Sequence, residues 1–228
     1  MGRVPYGEAL ALQRALRDAV VSGAAPGGLL LLEHPPTITV GRHGDPGNIV
    51  ASEGRLRELG IEVHHIERGG DVTYHGPGQL VGYPVLPISG GVQRFVRGLA
   101  DTARALLAEH GVASHWRDDR PGLYTDQGKI AAVGLHVGRG VAMHGIAVNL
   151  QTNLTHYDLI NPCGLPGGAV TSLQQLTGVE LPLAQAAERF AALFEPPGGV
   201  TSRTRLQPEA FLARQGLENG PIAAFPGV

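Results

Sequence analysis

The chain has almost no lysine and almost no cysteine: its 228 residues hold one of each, Lys129 and Cys163. A single cysteine excludes an internal disulfide and a cysteine-rich zinc site. Two readings of it stand, a small buried hydrophobe or a reactive thiolate. No apolar run approaches the roughly 18 residues of a membrane-spanning helix. No basic patch followed by an apolar stretch opens the chain, so no secretory signal is expected and the expected location is cytoplasmic. Charged residues make up 17% and the formal net charge is −2. With no block of like charge, neither nucleic acid nor a membrane surface is an expected partner.

The scarcity of lysine is informative in itself. Seventeen of the 18 basic residues are arginine. A surface cation drifts freely from Lys to Arg, because either charge serves. Lys129 did not drift. An amine can release its proton near neutral pH when its surroundings lower its pKa, and a guanidinium cannot. Chance survival in an exposed turn is the competing reading.

Common cofactor motifs fail. Gly122 to Lys129 resembles a phosphate-binding loop, but it has one residue too many between the glycines, and Ile130 replaces the required Ser or Thr. No dinucleotide fingerprint and no His-Glu-x-x-His pair occurs, and the ten His residues are scattered. No metal or resident cofactor is expected.

Periodicity predicts helices over Tyr6 to Val21, Ser52 to Leu59, Val92 to His110 and Ala184 to Phe194. Strands are predicted over Leu29 to Leu32, Thr37 to Val40, Ile61 to Glu67 and Leu80 to Ile88. Lys129 to Val137 and Val141 to Leu150 flank Gly138-Arg139-Gly140 and predict a hairpin. Adjacent strand runs with helices between groups argue for a single α+β domain, a mixed, largely antiparallel sheet with packed helices. The expected catalytic domain spans 1–195. A Pro- and Gly-rich segment follows over 196–228, and its role is open.

Four segments stand out. Arg68-Gly69-Gly70-Asp71-Val72-Thr73-Tyr74-His75-Gly76-Pro77-Gly78-Gln79 combines glycines, which permit close backbone approach to a ligand, with polar side chains. Gly128-Lys129-Ile130-Ala131-Ala132-Val133-Gly134 puts the amine at the start of a strand of small residues. Met143-His144-Gly145-Ile146-Ala147-Val148-Asn149 is apolar with polar ends. Asn161-Pro162-Cys163-Gly164-Leu165 holds the thiol in a constrained loop, a common setting for functional residues. Each also has a plain structural reading: a surface loop of turn-forming residues, a strand packed on a helix, a strand with a satisfied histidine and, for the cysteine, a small buried hydrophobe.

Together, in this order, the four segments resemble the lipoyl(octanoyl) transferases. The resemblance implies a fold similar to biotin and lipoate protein ligases, with a core related to class II tRNA synthetases. It implies that Cys163 is the acyl-thioester nucleophile and Lys129 its partner. It also implies that Arg68, Gly69, Gly70, Asp71, Val72, Thr73, Tyr74 and His75 line the acyl-substrate site with Ala132, Val133, Gly134, Gly145, Ile146 and Ala147. The octanoyl group would arrive on the phosphopantetheine of acyl-carrier protein. It would leave on a lysine of a lipoyl domain, in 2-oxoacid dehydrogenase E2 subunits or the glycine cleavage H protein. His75 or His144 is expected either to orient Lys129 or Cys163 or simply to hydrogen-bond within the fold, and for His75 the orienting role is the one expected. An ATP-dependent ligase on the same fold and a non-catalytic docking module are the rival readings.

Overall fold

The computed structural model describes residues 2–161 and 169–195. Cys163 and the segment 196–228 lie outside the described residues.

The helix predicted over Tyr6 to Val21 forms as α1 (Tyr6–Val21). Its buried stripe of Tyr6, Ala9, Leu10, Leu12, Gln13 and Leu16 follows helical spacing. Two strands follow, β1 (Gly28–Leu32) and β2 (Thr37–Val40). Next comes α2 (Glu53–Glu58), whose first turn is capped by Ser52 Oγ accepting from the Arg55 N–H at 3.2 Å. Strands β3 (Glu62–His65), β4 (Val72–His75) and β5 (Gln79–Val85) precede the long α3 (Val92–Ala108). Then come β6 (His115–Trp116), β7 (Gly122–Thr125), β8 (Gly128–Gly138) and β9 (Val141–Asn149). Helices α4 (Leu173–Thr177) and α5 (Leu183–Leu193) complete the described chain.

The strands form two sheets. The larger has six strands in the order β1-β5-β9-β8-β7-β6, all antiparallel. The smaller, β3-β2-β4, is mixed, with β2 parallel to β3 and antiparallel to β4. The expected α+β class with a largely antiparallel sheet is therefore observed. β4 lies inside the Gly-rich stretch that the sequence reads as irregular.

The β8–β9 hairpin turns through Arg139 (φ 51°) and Gly140 (φ 79°). Positive φ at both central residues suits the right-handed twist of the strands. One face of the large sheet packs on α3 and α5 through Leu99, Leu106, Ile146, Val148 and Phe190. The opposite face packs on α1 through Leu12, Leu16, Val81, Tyr83 and Ala147. Burying each large apolar side chain contributes about 1.5–3 kcal/mol. The small sheet has its own core around Ile38, Val40, Val72, Tyr74 and Ile160.

Candidate active site

Strict alternation along β8 would put Lys129 and Ala132 on opposite faces. A register shift prevents this. Leu123 pairs with Ala131 and Tyr124 with Lys129, so one step on β7 spans two on β8. Ile130 is the extra residue. Ile130 and Ala131 both join the core beneath α3, while Lys129 and Ala132 both line a cleft of about 420 Å³. Bulges of this kind re-aim side chains beside functional sites.

The cleft opens between the two sheets. Val72 and Thr73 come from β4, and Lys129, Ala132 and Asn149 from β8 and β9. The amine lies over Gly122. A methyl group there would sit 2.4 Å from the Ala131 carbonyl oxygen and 2.8 Å from Lys129 Cε, at a φ of 152°. Only glycine leaves that space. The Tyr124 ring flanks the amine, with Nζ 5.4 Å from its centroid, and Arg117 lies 5.2 Å from the same ring.

The backbone of Lys129 is clamped on both sides. Its N–H donates to Ala169 O at 2.9 Å, and its carbonyl accepts from the Thr171 N–H at 3.0 Å. Asn149 Nδ2 donates to Thr171 O at 3.1 Å. Gln79 Nε2 in turn donates to Asn149 Oδ1 at 3.0 Å. Sequence reasoning missed Gln79, Asn149 and Tyr157 as a connected group. For Gln79 and Asn149 the one signal was the polar end of an apolar strand; Tyr157, in a short 3₁₀ turn, gave none.

Three of the four segments singled out in the sequence lie side by side, and the fourth, around Cys163, lies outside the described residues. Gly69 N–H donates to Leu135 O at 2.9 Å, which lays the Arg68 loop across the middle of β8. Ala132, Val133 and Gly134 pair with Ala147, Ile146 and Gly145 in turn. Arg68 is buried and donates to Thr39 O and Thr39 Oγ1, each at 2.8 Å, and to Gly69 O at 3.0 Å. Asp71 accepts from Asp45 N–H at 3.1 Å and Asn48 Nδ2 at 2.6 Å, so it holds the loop over 41–48. Gly70 turns the chain at φ 88°.

Of the expected substrate residues, Val72, Thr73 and Ala132 line the cleft. Val133 and Ile146 turn toward the helical core instead. Tyr74 is buried in the small-sheet core with its hydroxyl 2.8 Å from His156 Nδ1.

His75 is not among the residues that line the cleft. It is buried, its Nδ1–H donates to Gln79 Oε1 at 2.8 Å, and its ring stacks on Tyr6 at 5.9 Å. Burial pushes its pKa well below the usual histidine value. It belongs to a ring cluster beneath α1. There His34 Nδ1–H donates to Val4 O at 2.7 Å, so its Nε2 accepts from Tyr83 OH at 2.7 Å. Burial lowers His34 to about 4. His144 stands at the edge of this cluster at φ 58°, a costly conformation for a non-glycine residue. Both its ring nitrogens are buried without a hydrogen-bond partner, and Glu67 Oε2 lies 3.8 Å away, beyond hydrogen-bonding reach. Burial also lowers the His144 pKa, opposed by Glu67.

Among the described residues no cluster of three or more metal-binding side chains occurs. None of the described helices is long and apolar enough to cross a membrane.

Residues 5–195 match the family model of the lipoyl protein ligase A/B catalytic domain. An octanoyltransferase of Geotalea uraniireducens is 42% identical over 198 residues, covering 86% of this chain and 89% of that protein. One of Rubrobacter xylanophilus is 44% identical over 196 residues, covering 85% and 89%. Among solved structures, a lipoate-protein ligase A bound with ATP superposes with a TM-score of 0.70 at 15% identity, covering 95% of this chain and 91% of that one. A bipartite lipoate protein ligase of Thermoplasma acidophilum gives 0.68 at 14% identity, covering 98% and 92%. At those identities the structures speak for the fold alone, and they bear out the lipoate-ligase-like architecture. The family match and the close relatives settle the lineage: the chain belongs to the lipoyl protein ligase A/B catalytic domain family.

Proposed function

We propose that this protein is an octanoyltransferase that moves a medium-chain acyl group from acyl-carrier protein to a lysine of a lipoyl domain through a Cys163 thioester. The single observation that supports this reading is the setting of Lys129. The only lysine of the chain sits on a bulge, over a glycine, in a cleft that Ala169 also lines. Cys163 lies six residues before Ala169 in the sequence. Relatives at 42–44% identity carry the octanoyltransferase name.

The chemistry needs an amine that cycles. A protonated Lys129 favours the Cys163 thiolate by charge. The thiolate attacks the carbonyl carbon of the acyl thioester, the bond to the carrier sulfur breaks, and Lys129 gives its proton to the departing thiol. The acceptor lysine then attacks the acyl-cysteine. Neutral Lys129 takes the proton from the attacking nitrogen as the Cys163 thiolate leaves. Thioester exchange is nearly thermoneutral and amide formation is downhill, so no nucleotide is consumed. Arg68 to His75, Ala132 to Gly134 and Gly145 to Ala147 frame the acyl site in this reading. Acceptors are the lipoyl domains of 2-oxoacid dehydrogenase E2 subunits and the glycine cleavage H protein, in the cytoplasm. The protein carries no metal or cofactor of its own.

Intact-mass analysis after mixing with octanoyl-carrier protein tests this. The wild type gains one octanoyl group and Cys163→Ser gains none. A Cys163→Ser variant that still octanoylates the acceptor at the normal rate sinks the covalent route. Pyrophosphate release from ATP and free octanoate marks a ligase instead.

A further inference from the structure

The lip of the cleft carries a cation that the acyl chemistry does not use. Arg117, Arg120 and Lys129 line the cleft, with Asp126 the one carboxylate among the lining residues. Arg117 is engaged. Its Nε donates to Asp119 Oδ1 at 3.0 Å and its Nη2 to Asp119 Oδ2 at 2.6 Å, a two-bond fork. Arg120 is placed differently. Its ion-pair contact is Nε to Asp119 Oδ2 at 3.9 Å, on an acid already taken by Arg117. Its side chain is 39% exposed. The guanidinium therefore keeps donors available at the mouth of the cleft.

The chain connects this lip to the amine by a short rigid path. Arg120 is followed by Pro121, which fixes its own φ. Gly122 comes next, and its missing Cβ position lies 3.4 Å from Lys129 Nζ. A thioester whose carbonyl reaches the amine must send its carrier arm outward, and this strand entrance borders that route.

We propose that Arg120 binds the phosphodiester of the pantetheine arm that delivers the acyl group. The inference rests on the carrier-borne thioester reading above. A guanidinium matches phosphate oxygens in a two-point geometry that an ammonium does not offer. Arg120 thus sets a preference for phosphorylated donors, separate from the acyl pocket and from the Cys and Lys chemistry.

The test compares octanoyl-4′-phosphopantetheine with octanoyl-pantetheine, which differ by the phosphate alone. The ratio of their kcat/KM values is read in the wild type and in Arg120→Ala, Arg120→Glu and Arg120→Lys. The ratio should fall on the order of ten-fold in Arg120→Ala, as for loss of one charge-assisted hydrogen-bonding group. Arg120→Glu should fall further, and Arg120→Lys should recover part of the ratio. An unchanged ratio in Arg120→Ala overturns the proposal. So does a change confined to the KM of the lipoyl-domain acceptor, which would assign the residue to the acceptor instead. If the wild type transfers neither from these donors nor from octanoyl-carrier protein, the transfer reading itself fails. Calorimetric binding of 4′-phosphopantetheine to wild type and Arg120→Ala then still decides the role of Arg120: equal affinities overturn it.

Discussion

β9 carries polar side chains into two unlike environments, Asn149 at the cleft and His144 at the edge of the ring cluster under α1. At the cleft, Asn149 is bonded on both sides of its carboxamide and stands with a partly exposed amine. Under α1, His34, His75 and His144 are shut away from water, and burial drives each toward the neutral ring. The difference teaches where proton transfer can live. A charge that must appear and vanish during a reaction needs water or an opposite charge within reach. The cleft is open to water and includes the Asp126 carboxylate in its lining, whereas the three cluster histidines are buried and, among the described residues, only His144 has an acid near it, Glu67 at 3.8 Å.

The sharpest break of this comparison is Lys129→Arg. It keeps the charge but cannot carry the proton transfer proposed for the amine, so transfer should fall about 10²–10⁴-fold, with the unfolding midpoint little changed. Rate and thermal melt together check it, and near-normal turnover would remove the acid–base role of the amine.

The cluster makes the complementary prediction. An unfolded chain leaves His34 at the ordinary histidine value of 6.5, and burial in the fold lowers it to about 4. Between those values the unfolded chain holds more protons, so stability is full above pH 6.5 and declines as pH falls toward 4. His34 alone accounts for on the order of 3 kcal/mol across that window, with His75 and His144 acting in the same direction. Denaturant melts from pH 7 to 4.5 measure it. His34→Gln should flatten the slope, and an unaltered slope would move the effect elsewhere.

A smaller effect probes the seat of the amine. Gly122→Ala puts a methyl group against Ala131 O and Lys129 Cε. It should cost about 1–3 kcal/mol in stability and displace the amine, so activity should fall more than the melt alone explains. Equal losses of rate and of folded fraction would mean that the glycine serves only the backbone.

Some elements were legible because a short-range pattern fixed them. The spacing of Leu10, Leu12 and Leu16 with the Gly23 stop gave α1, and the Gly138-Arg139-Gly140 turn gave the β8–β9 hairpin. β4 was not legible. Glycines flank it, and its four residues, Val72 to His75, are too few to show alternation against that background. Arg117 and Arg120 gave no signal either, since a cleft lip is assembled from chain segments far apart in sequence.

By itself, the sequence determined the α+β class, the family signature and the solitary status of one cysteine and one lysine, because composition and local spacing carry those directly. Only the tertiary structure decided that Lys129 faces the cleft. Two-residue alternation cannot reveal an inserted residue, and it is the pairing of β7 with β8 that makes Ile130 the extra one. The structure also decided that His75 belongs to a dry interior, because burial depends on what packs above a residue and not on its neighbours in the chain.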